Sequence, residues 1–159
     1  MDFTHLDESG AARMVDVSAK AITTRTARAR GRFITTPEVI AALRAQSLAK
    51  GDALAVARLA AITGAKRTAD LIPLCHPIPL HGVDVDLTLG EEDVLIEVTT
   101  RTADRTGVEM EALTAVTIAG LALYDMVKKL DRSARLTYIE LVSKDGGSTG
   151  TWQRTAERA

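Results

Sequence analysis

Residues 106–130, TGVEMEALTAVTIAGLALYDMVKKL, have the length of a long helix and carry apolar residues on nearly every side, so we expect the fold to be built around them. Thr106 and Glu109 have the spacing of a capping box, and the lysines at 128–129 suit the C-terminal turn. Asp125 and several small residues interrupt the apolar run, which predicts a buried helix and not a membrane span. One sheet face would not require so apolar a helix, so we expect it also to meet a second copy of the chain.

Segments in which apolar and polar residues alternate surround this helix and predict strands. The predicted strands are residues 19–33, 82–89, 94–102 and 135–144. The first of them carries arginines on one side and apolar side chains on the other: Arg28, Arg30 and Arg32 against Ala27, Ala29 and Phe33. The second and third strands flank the turn GEED and predict a hairpin.

Two further helices are predicted between the first strand and this hairpin. Thr36 is the expected N-cap of the first, with Pro37 at its first position and Gly51 just past its end. Asp52 is the expected cap of an alanine-rich second helix. The order β-α-α-β-β-α-β predicts an α+β fold, a ferredoxin-like plait with a four-stranded antiparallel sheet and its helices packed on one face. We expect one domain over residues 1–159, with 1–18 and 153–159 irregular or flexible.

Composition excludes several classes of function. The chain has 159 residues and a formal net charge of −1, so it has no global field to attract nucleic acid or an anionic membrane. A single cysteine cannot form an internal disulfide, which favours a cytoplasmic protein. The first ten residues, MDFTHLDESG, lack the basic and apolar segments of a signal peptide.

Two acids lie near opposite ends of the long predicted helix. Glu111 and Asp125 are 14 residues apart, which places them about 40° from alignment and roughly 21 Å apart. One compact substrate cannot easily touch both within one chain. Two copies of the helix packed antiparallel would bring Glu111 of one near Asp125 of the other, so we expect a site built between subunits. On this view, mixed oligomers of Lys50→Ala and Asp125→Ala subunits should regain some activity.

The proline-rich stretch LIPLCHPIPLHG, residues 71–82, presents a cysteine and two histidines on a stiff backbone. No pair of these residues has a familiar zinc spacing, so a closed metal site is not expected. Cys75 and His76 are adjacent in an extended segment and point apart, which disfavours a nucleophilic pair. We interpret Cys75 as a small buried residue and His76 as a rigidly placed hydrogen-bonding group.

Five segments together resemble the MoaC family, the cyclic pyranopterin monophosphate synthases of molybdenum cofactor biosynthesis. They are MVDVSAKAITTRTARA, KGDALAVARLAAITGAKRTADLIPLCHPIPL, GVEMEALTAV, YDMVKKLD and LVSKDGGSTG. The resemblance runs from about His5 to Trp152. Two positions depart from it: Val127 stands where relatives often have cysteine, and GGSTG lacks a lysine that often follows the paired glycines.

The resemblance implies a ferredoxin-like subunit assembled as a hexamer, a trimer of dimers. We expect no cofactor and no metal site. It implies conversion of 3′,8-cyclo-7,8-dihydro-GTP into cyclic pyranopterin monophosphate with release of pyrophosphate. Lys50 and Lys128 are expected to transfer protons, with lowered pKa values, while Asp125 orients Lys128. The expected substrate-binding residues are Leu74, Cys75, His76, Met110, Glu111 and Lys144, with Lys66 or Arg67 as further cations for the triphosphate.

Two other classes of protein fit parts of the sequence. A plait-fold RNA-binding module would stack bases on sheet aromatics, for which the strands offer Phe33 and Tyr138 beside the arginine row. A non-catalytic oligomeric scaffold would have no need for Lys50, Asp125 and Lys128. No affinity for nucleic acid or membrane is expected.

Overall fold

A single antiparallel sheet and the helices packed against it make up residues 9–155, the part of the chain that our computed structural model describes. The strands are β1 (Thr23–Ile34), β2 (Gly82–Leu89), β3 (Asp93–Asp104), β4 (Arg135–Asp145) and β5 (Trp152–Gln153). The helices are α1 (Pro37–Arg44), α2 (Ala53–Lys66), α3 (Thr68–Leu71) and α4 (Glu109–Val127). The predicted α+β class is confirmed.

The strand order across the sheet is β2-β3-β1-β4-β5, and every neighbouring pair is antiparallel. The prediction of four strands is therefore wrong. Glycines at 146, 147 and 150 adopt positive φ and turn the chain back, so that Trp152 pairs with Lys144. A two-residue strand is too short to show a period in the sequence. It also brings Gln153 into regular structure, although we expected an irregular segment from that residue onward.

Only part of the predicted irregular ends can be compared with the structure. Residues 1–8 and 156–159 lie outside the described residues. Residues 9–22 contain turns and an isolated bridge at Ala12 but no helix or extended strand. The single-domain extent stays a prediction.

The alternation in β1 separates the core from an open sheet face, as predicted. Ala27, Ala29 and Phe33 are buried beneath the helices. Arg28, Arg30 and Arg32 lie on the opposite face in ion pairs with Glu97, Glu140 and Asp93. Because Phe33 is buried, it is not available to stack a base beside Tyr138, as an RNA-binding plait would require.

Helix capping was predicted correctly at two places and wrongly at two others. The Thr36 hydroxyl accepts a hydrogen bond from the Val39 amide, and the Asp52 carboxylate accepts one from the Ala55 amide. However, α1 ends at Arg44 and not before Gly51, because Gln46 takes a left-handed conformation with φ of 51°. Thr106 and Glu109 form no capping box, since α4 begins at Glu109 without a side-chain cap.

The long helix α4 packs against β1, β3, β4 and α2. Glycines allow close approach on three sides of it: Gly31 beneath Val116, Gly64 of α2 against Ile118, and Gly120 against Leu136. Thus α2 of the same chain supplies part of the close surface that we expected from a second copy. Among residues 9–155, α4 alone is long and apolar enough to cross a membrane, but its packing identifies a core helix.

The contact between α2 and α4 leaves no room for a side chain at position 64. A Cβ atom there would lie 2.8 Å from Cγ1 and 2.9 Å from Cβ of Ile118, whose β-branched side chain is stiff in a helix. Overpacking costs about 1–3 kcal/mol, while alanine gains about 1 kcal/mol over glycine in helix propensity. Gly64→Ala is therefore expected to lower the free energy of unfolding by up to about 2 kcal/mol, measured by urea denaturation.

The neighbouring position supplies the matched control. Thr63 is exposed on the same helix, so Thr63→Ala should be neutral or slightly stabilising. Adding Ile118→Val to Gly64→Ala should recover part of the loss. A Gly64→Ala protein as stable as Thr63→Ala would contradict the tight packing.

Candidate active site

Two lysines converge on one carboxylate at the C-terminal end of α4. The Lys128 ammonium lies 2.7 Å from Asp125 Oδ1, the i,i+3 contact predicted from the sequence. Lys50, in the link between α1 and α2, lies 2.8 Å from Asp125 Oδ2 and also donates to the Asp125 carbonyl at 2.6 Å. We call Lys50, Asp125 and Lys128 the triad; it carries two positive charges and one negative charge.

The two ammonium groups set the electrostatics of the triad. Hydrogen bonds from Lys128 and then Lys50 lower the pKa of Asp125 to about 2. The Asp125 carboxylate in turn raises the pKa of Lys128. The expectation of a lowered lysine pKa is wrong for Lys128 in the single chain, because the contact with Asp125 outweighs desolvation at a partly exposed site.

A separate cavity of about 340 Å³ lies at the other end of α4. The proline-rich segment and the first turn of α4 form much of its lining. The residues around it include five of the predicted substrate-binding residues: Leu74, Cys75, His76, Met110 and Glu111. The structure therefore brings the segments LCHP and GVEME together around one cavity, and their role toward a substrate stays a prediction.

His76 and Cys75 differ in what they offer to this cavity. His76 Nε2 lies 2.7 Å from the Val15 carbonyl, which can only accept, so this nitrogen carries the proton. Cys75 is half-buried and not the fully buried residue that we expected. Its partial burial, with a smaller contribution from Glu111, raises the pKa of Cys75 and keeps it a thiol. Within residues 9–155, His, Cys, Asp and Glu side chains nowhere gather in threes as a metal site would require.

Glu111 is the most unusual titratable group of the cavity. It is 4% exposed, and desolvation raises its pKa to about 7, with a further contribution from the negative charge of Glu109. At neutral pH this carboxyl group is divided between its acid and its carboxylate. It can therefore donate or accept a hydrogen bond, or exchange a proton, at physiological pH.

The triad and the Glu111 cavity are separate in one chain. Glu111 lies in the first turn of α4 and Asp125 in its last, so about 21 Å of helix lies between them. The residues that line the cavity include no member of the triad. Lys50 and Asp125, by contrast, touch within the same chain. The expectation that Lys50→Ala and Asp125→Ala subunits rescue each other is therefore not supported by this geometry.

Lys144 lies apart from both groups. It pairs with Ala27 in the sheet, and its ammonium donates to the Thr149 hydroxyl across the glycine-rich loop. Lys66 lines a neighbouring cavity of about 270 Å³ that shares His76 and Glu111 with the first one. A role of these cations toward a triphosphate stays a prediction.

The structure adds residues to the cavity that we did not assign to a binding site from the sequence. They are Val15, Val17, Lys20, Thr106, Gly107 and Glu109. Hydrogen bonds hold the N-terminal segment in place, from His76 to the Val15 carbonyl and from Arg105 to the Lys20 carbonyl at 3.0 Å. The signal was present in MVDVSAK, one of the segments that carry the family resemblance, but no local pattern marks this segment as part of a cavity.

Comparison with known proteins agrees with these segments. The profile described as the MoaC family matches residues 14–147. The chain is 58% identical to cyclic pyranopterin monophosphate synthase of Streptomyces griseus, over 96% of this chain and 86% of that protein. It is 54% identical to the protein of that name from Thermomicrobium roseum, over 99% and 96% of the two chains. Cyclic pyranopterin monophosphate synthase 2 of Mycobacterium tuberculosis is 55% identical, over 96% and 92%.

The chain therefore belongs to the MoaC family. The expectation of an enzyme of the lyase class, in the family of the cyclic pyranopterin monophosphate synthases, is confirmed. Membership of this enzyme family favours a catalytic protein over the non-catalytic scaffold.

The raised pKa of Glu111 makes protein stability depend on pH. The folded state binds this proton more tightly than the unfolded state, whose carboxyl has a pKa near 4.5. The contribution of Glu111 to the free energy of unfolding is fully present below pH 4.5. It is lost as pH rises to about 7, which lowers the free energy of unfolding by about 3 kcal/mol. Urea denaturation at pH 5 and pH 8 should show this fall in wild type and its absence in Glu111→Gln.

Glu109→Gln serves as the control for this experiment. Glu109→Gln removes a negative charge that helps to raise the pKa of Glu111. The free energy of unfolding should therefore still fall as pH rises, but the fall should end at a lower pH. An equal pH dependence in wild type and Glu111→Gln would contradict the assignment.

Proposed function

We propose that the protein is a cyclic pyranopterin monophosphate synthase of molybdenum cofactor biosynthesis. Its substrate is 3′,8-cyclo-7,8-dihydro-GTP, and its products are cyclic pyranopterin monophosphate and pyrophosphate. The observation that carries this proposal is the convergence of Lys50 and Lys128 on Asp125, at 2.8 and 2.7 Å. A cationic pair held by one carboxylate suits proton transfer beside an anionic nucleotide.

The reaction asks for proton transfers and anion stabilisation. The purine ring opens and is rebuilt as a pterin, and a hydroxyl oxygen bonds to the α-phosphorus as the bond to the leaving pyrophosphate breaks. The hydroxyl proton passes to a base, and the leaving oxygen needs positive charge nearby. Lys50 and Lys128 act as the proton-transfer pair. Asp125 holds the Lys128 ammonium in place, and the raised pKa of Lys128 keeps it positively charged beside the phosphates.

The cavity at the start of α4 binds the base and pterin edges. His76 and Glu111 supply directional hydrogen bonds, while Leu74, Cys75 and Met110 complete the lining. Lys144, beside the glycine-rich loop, binds the triphosphate. No cofactor or metal takes part in this scheme.

The complete site forms between two copies of the chain, because one chain holds the cavity and the triad at opposite ends of α4. Apolar side chains exposed on α2 and α4 support such an interface: Val56, Leu59 and Leu121. We further propose a hexamer, built as a trimer of dimers, in the cytoplasm. The order β2-β3-β1-β4 of the four long strands supports a ferredoxin-like plait as the subunit fold.

Adjacent lysines provide a matched test of the triad. Lys128 bonds to Asp125, whereas Lys129 is exposed one position further along. Incubation with the cyclised dihydro-GTP, followed by mass analysis for pyranopterin and pyrophosphate, should show product with wild type and Lys129→Ala. Lys128→Ala is expected to lose at least about 100-fold in kcat with its assembly unchanged, because it removes a proton-transfer group. Near-normal turnover by Lys128→Ala would remove this lysine from the mechanism.

Mixed oligomers test whether the site is shared between copies. A mixture of Glu111→Ala and Lys128→Ala subunits should regain up to about a quarter of wild-type activity, since each mixed dimer contains one intact site. A mixture of Lys50→Ala and Lys128→Ala subunits should stay inactive, because every triad in it lacks one lysine. Inactivity of both mixtures, in oligomers verified to be mixed, would place the whole site within one chain.

A further inference from the structure

A buried carboxylate lies just beyond the triad, in the turn between α4 and β4. Asp131 is 7% exposed, and it follows Lys128 by three residues. The Leu130 and Asp131 amides both bond to the Val127 carbonyl, which continues the last turn of α4 into this loop. The position of the Lys128 backbone therefore depends on how the turn is held.

Both oxygens of this carboxylate have partners. Oδ1 accepts hydrogen bonds from the Ser133 amide at 2.8 Å and from the Ser133 hydroxyl at 2.6 Å. Oδ2 accepts one from the Thr35 hydroxyl at 2.9 Å, a buried contact between residues 96 positions apart. The first two bonds shape the turn, and the third attaches it to another part of the fold.

Thr35 lies between β1 and α1, the two elements that precede Lys50 in the chain. It follows the last residue of β1, its amide bonds to the Glu92 carbonyl, and the next residue caps α1. The link after α1 carries Lys50. The two chain segments that bring Lys50 and Lys128 to Asp125 are thus joined a second time, through the bond between Asp131 and Thr35.

We propose that Asp131 is a positioning residue, which fixes the turn bearing Lys128 against the β1–α1 junction and so sets the geometry of the triad. Its importance for turnover rests on the proposed function. The buried hydrogen bond between Thr35 and Asp131 holds the turn in one conformation. Without it, the partly exposed Lys128 and Asp125 side chains would sample several conformations. Hydrogen bonds from Ser133 and Thr35 also lower the pKa of Asp131, in agreement with an ionised anchor.

The anchor can be broken without changing Asp131 or the triad. Thr35→Val keeps the shape of the side chain and removes the hydroxyl, while Thr35→Ser keeps the hydroxyl. We expect Thr35→Val to lower kcat by about 10- to 100-fold with KM nearly unchanged, because a small misplacement of reacting groups has this effect. Thr35→Ser should recover most of the loss. Val85→Ala, a core change in the distant strand β2, controls for lost stability.

A second readout does not need the substrate. When the triad loosens, the contact with Asp125 that raises the pKa of Lys128 weakens, so the Lys128 amine reacts faster with an acylating reagent at pH 8. Mass spectrometry should show the labelling of Lys128 relative to Lys129 rising by at least about twofold in Thr35→Val and staying at the wild-type ratio in Thr35→Ser and Val85→Ala.

The two readouts separate the two proposals. Wild type that fails to convert the cyclised dihydro-GTP contradicts the proposed function, while the labelling ratio still decides the role of Asp131. An unchanged ratio in Thr35→Val overturns the positioning role. So does an unchanged kcat in an active wild-type background, or a fall in kcat that Val85→Ala reproduces.

Discussion

The packing of α4 on the sheet fixes the positions of both candidate functional regions of the chain. The helix is pressed against β1, β3 and β4 on one side and α2 on another, with glycines at the closest approaches. It cannot bend or shift without opening those contacts. It therefore holds Glu111 and Asp125 a fixed distance of about 21 Å apart, near its two ends.

The two ends of α4 have opposite physical characters. At the first turn, burial removes water from Glu111 and leaves a carboxyl that can carry a proton at neutral pH. At the last turn, the triad is partly exposed and its carboxylate stays ionised between two ammonium groups. A cavity that holds a buried, protonatable carboxyl group suits a heterocycle, and a cationic group suits phosphates and proton transfer. Neither end alone offers a nucleotide both kinds of contact, which is why we place the complete site between copies.

The sequence predicted what local patterns encode. Alternation in β1 placed the arginines opposite Phe33, and the i,i+3 spacing on the helix predicted the contact between Asp125 and Lys128. The sequence did not predict features that depend on the backbone conformation of a single residue. The left-handed conformation of Gln46, for example, ends α1 earlier than we expected. The sequence also missed interactions between residues far apart in the chain, such as the bonds from His76 to Val15 and from Thr35 to Asp131. No periodicity carries such information.

We propose that acids and lysines from two copies of the chain surround one nucleotide. The decisive measurement is a crystal structure of Lys128→Ala with bound 3′,8-cyclo-7,8-dihydro-GTP. We predict a ligand whose base edge contacts His76 and Glu111 of one subunit and whose ribose and phosphates face Lys50 and Asp125 of another. A ligand bound entirely to one subunit, with the second subunit's triad facing solvent, would show that the site is not shared between copies.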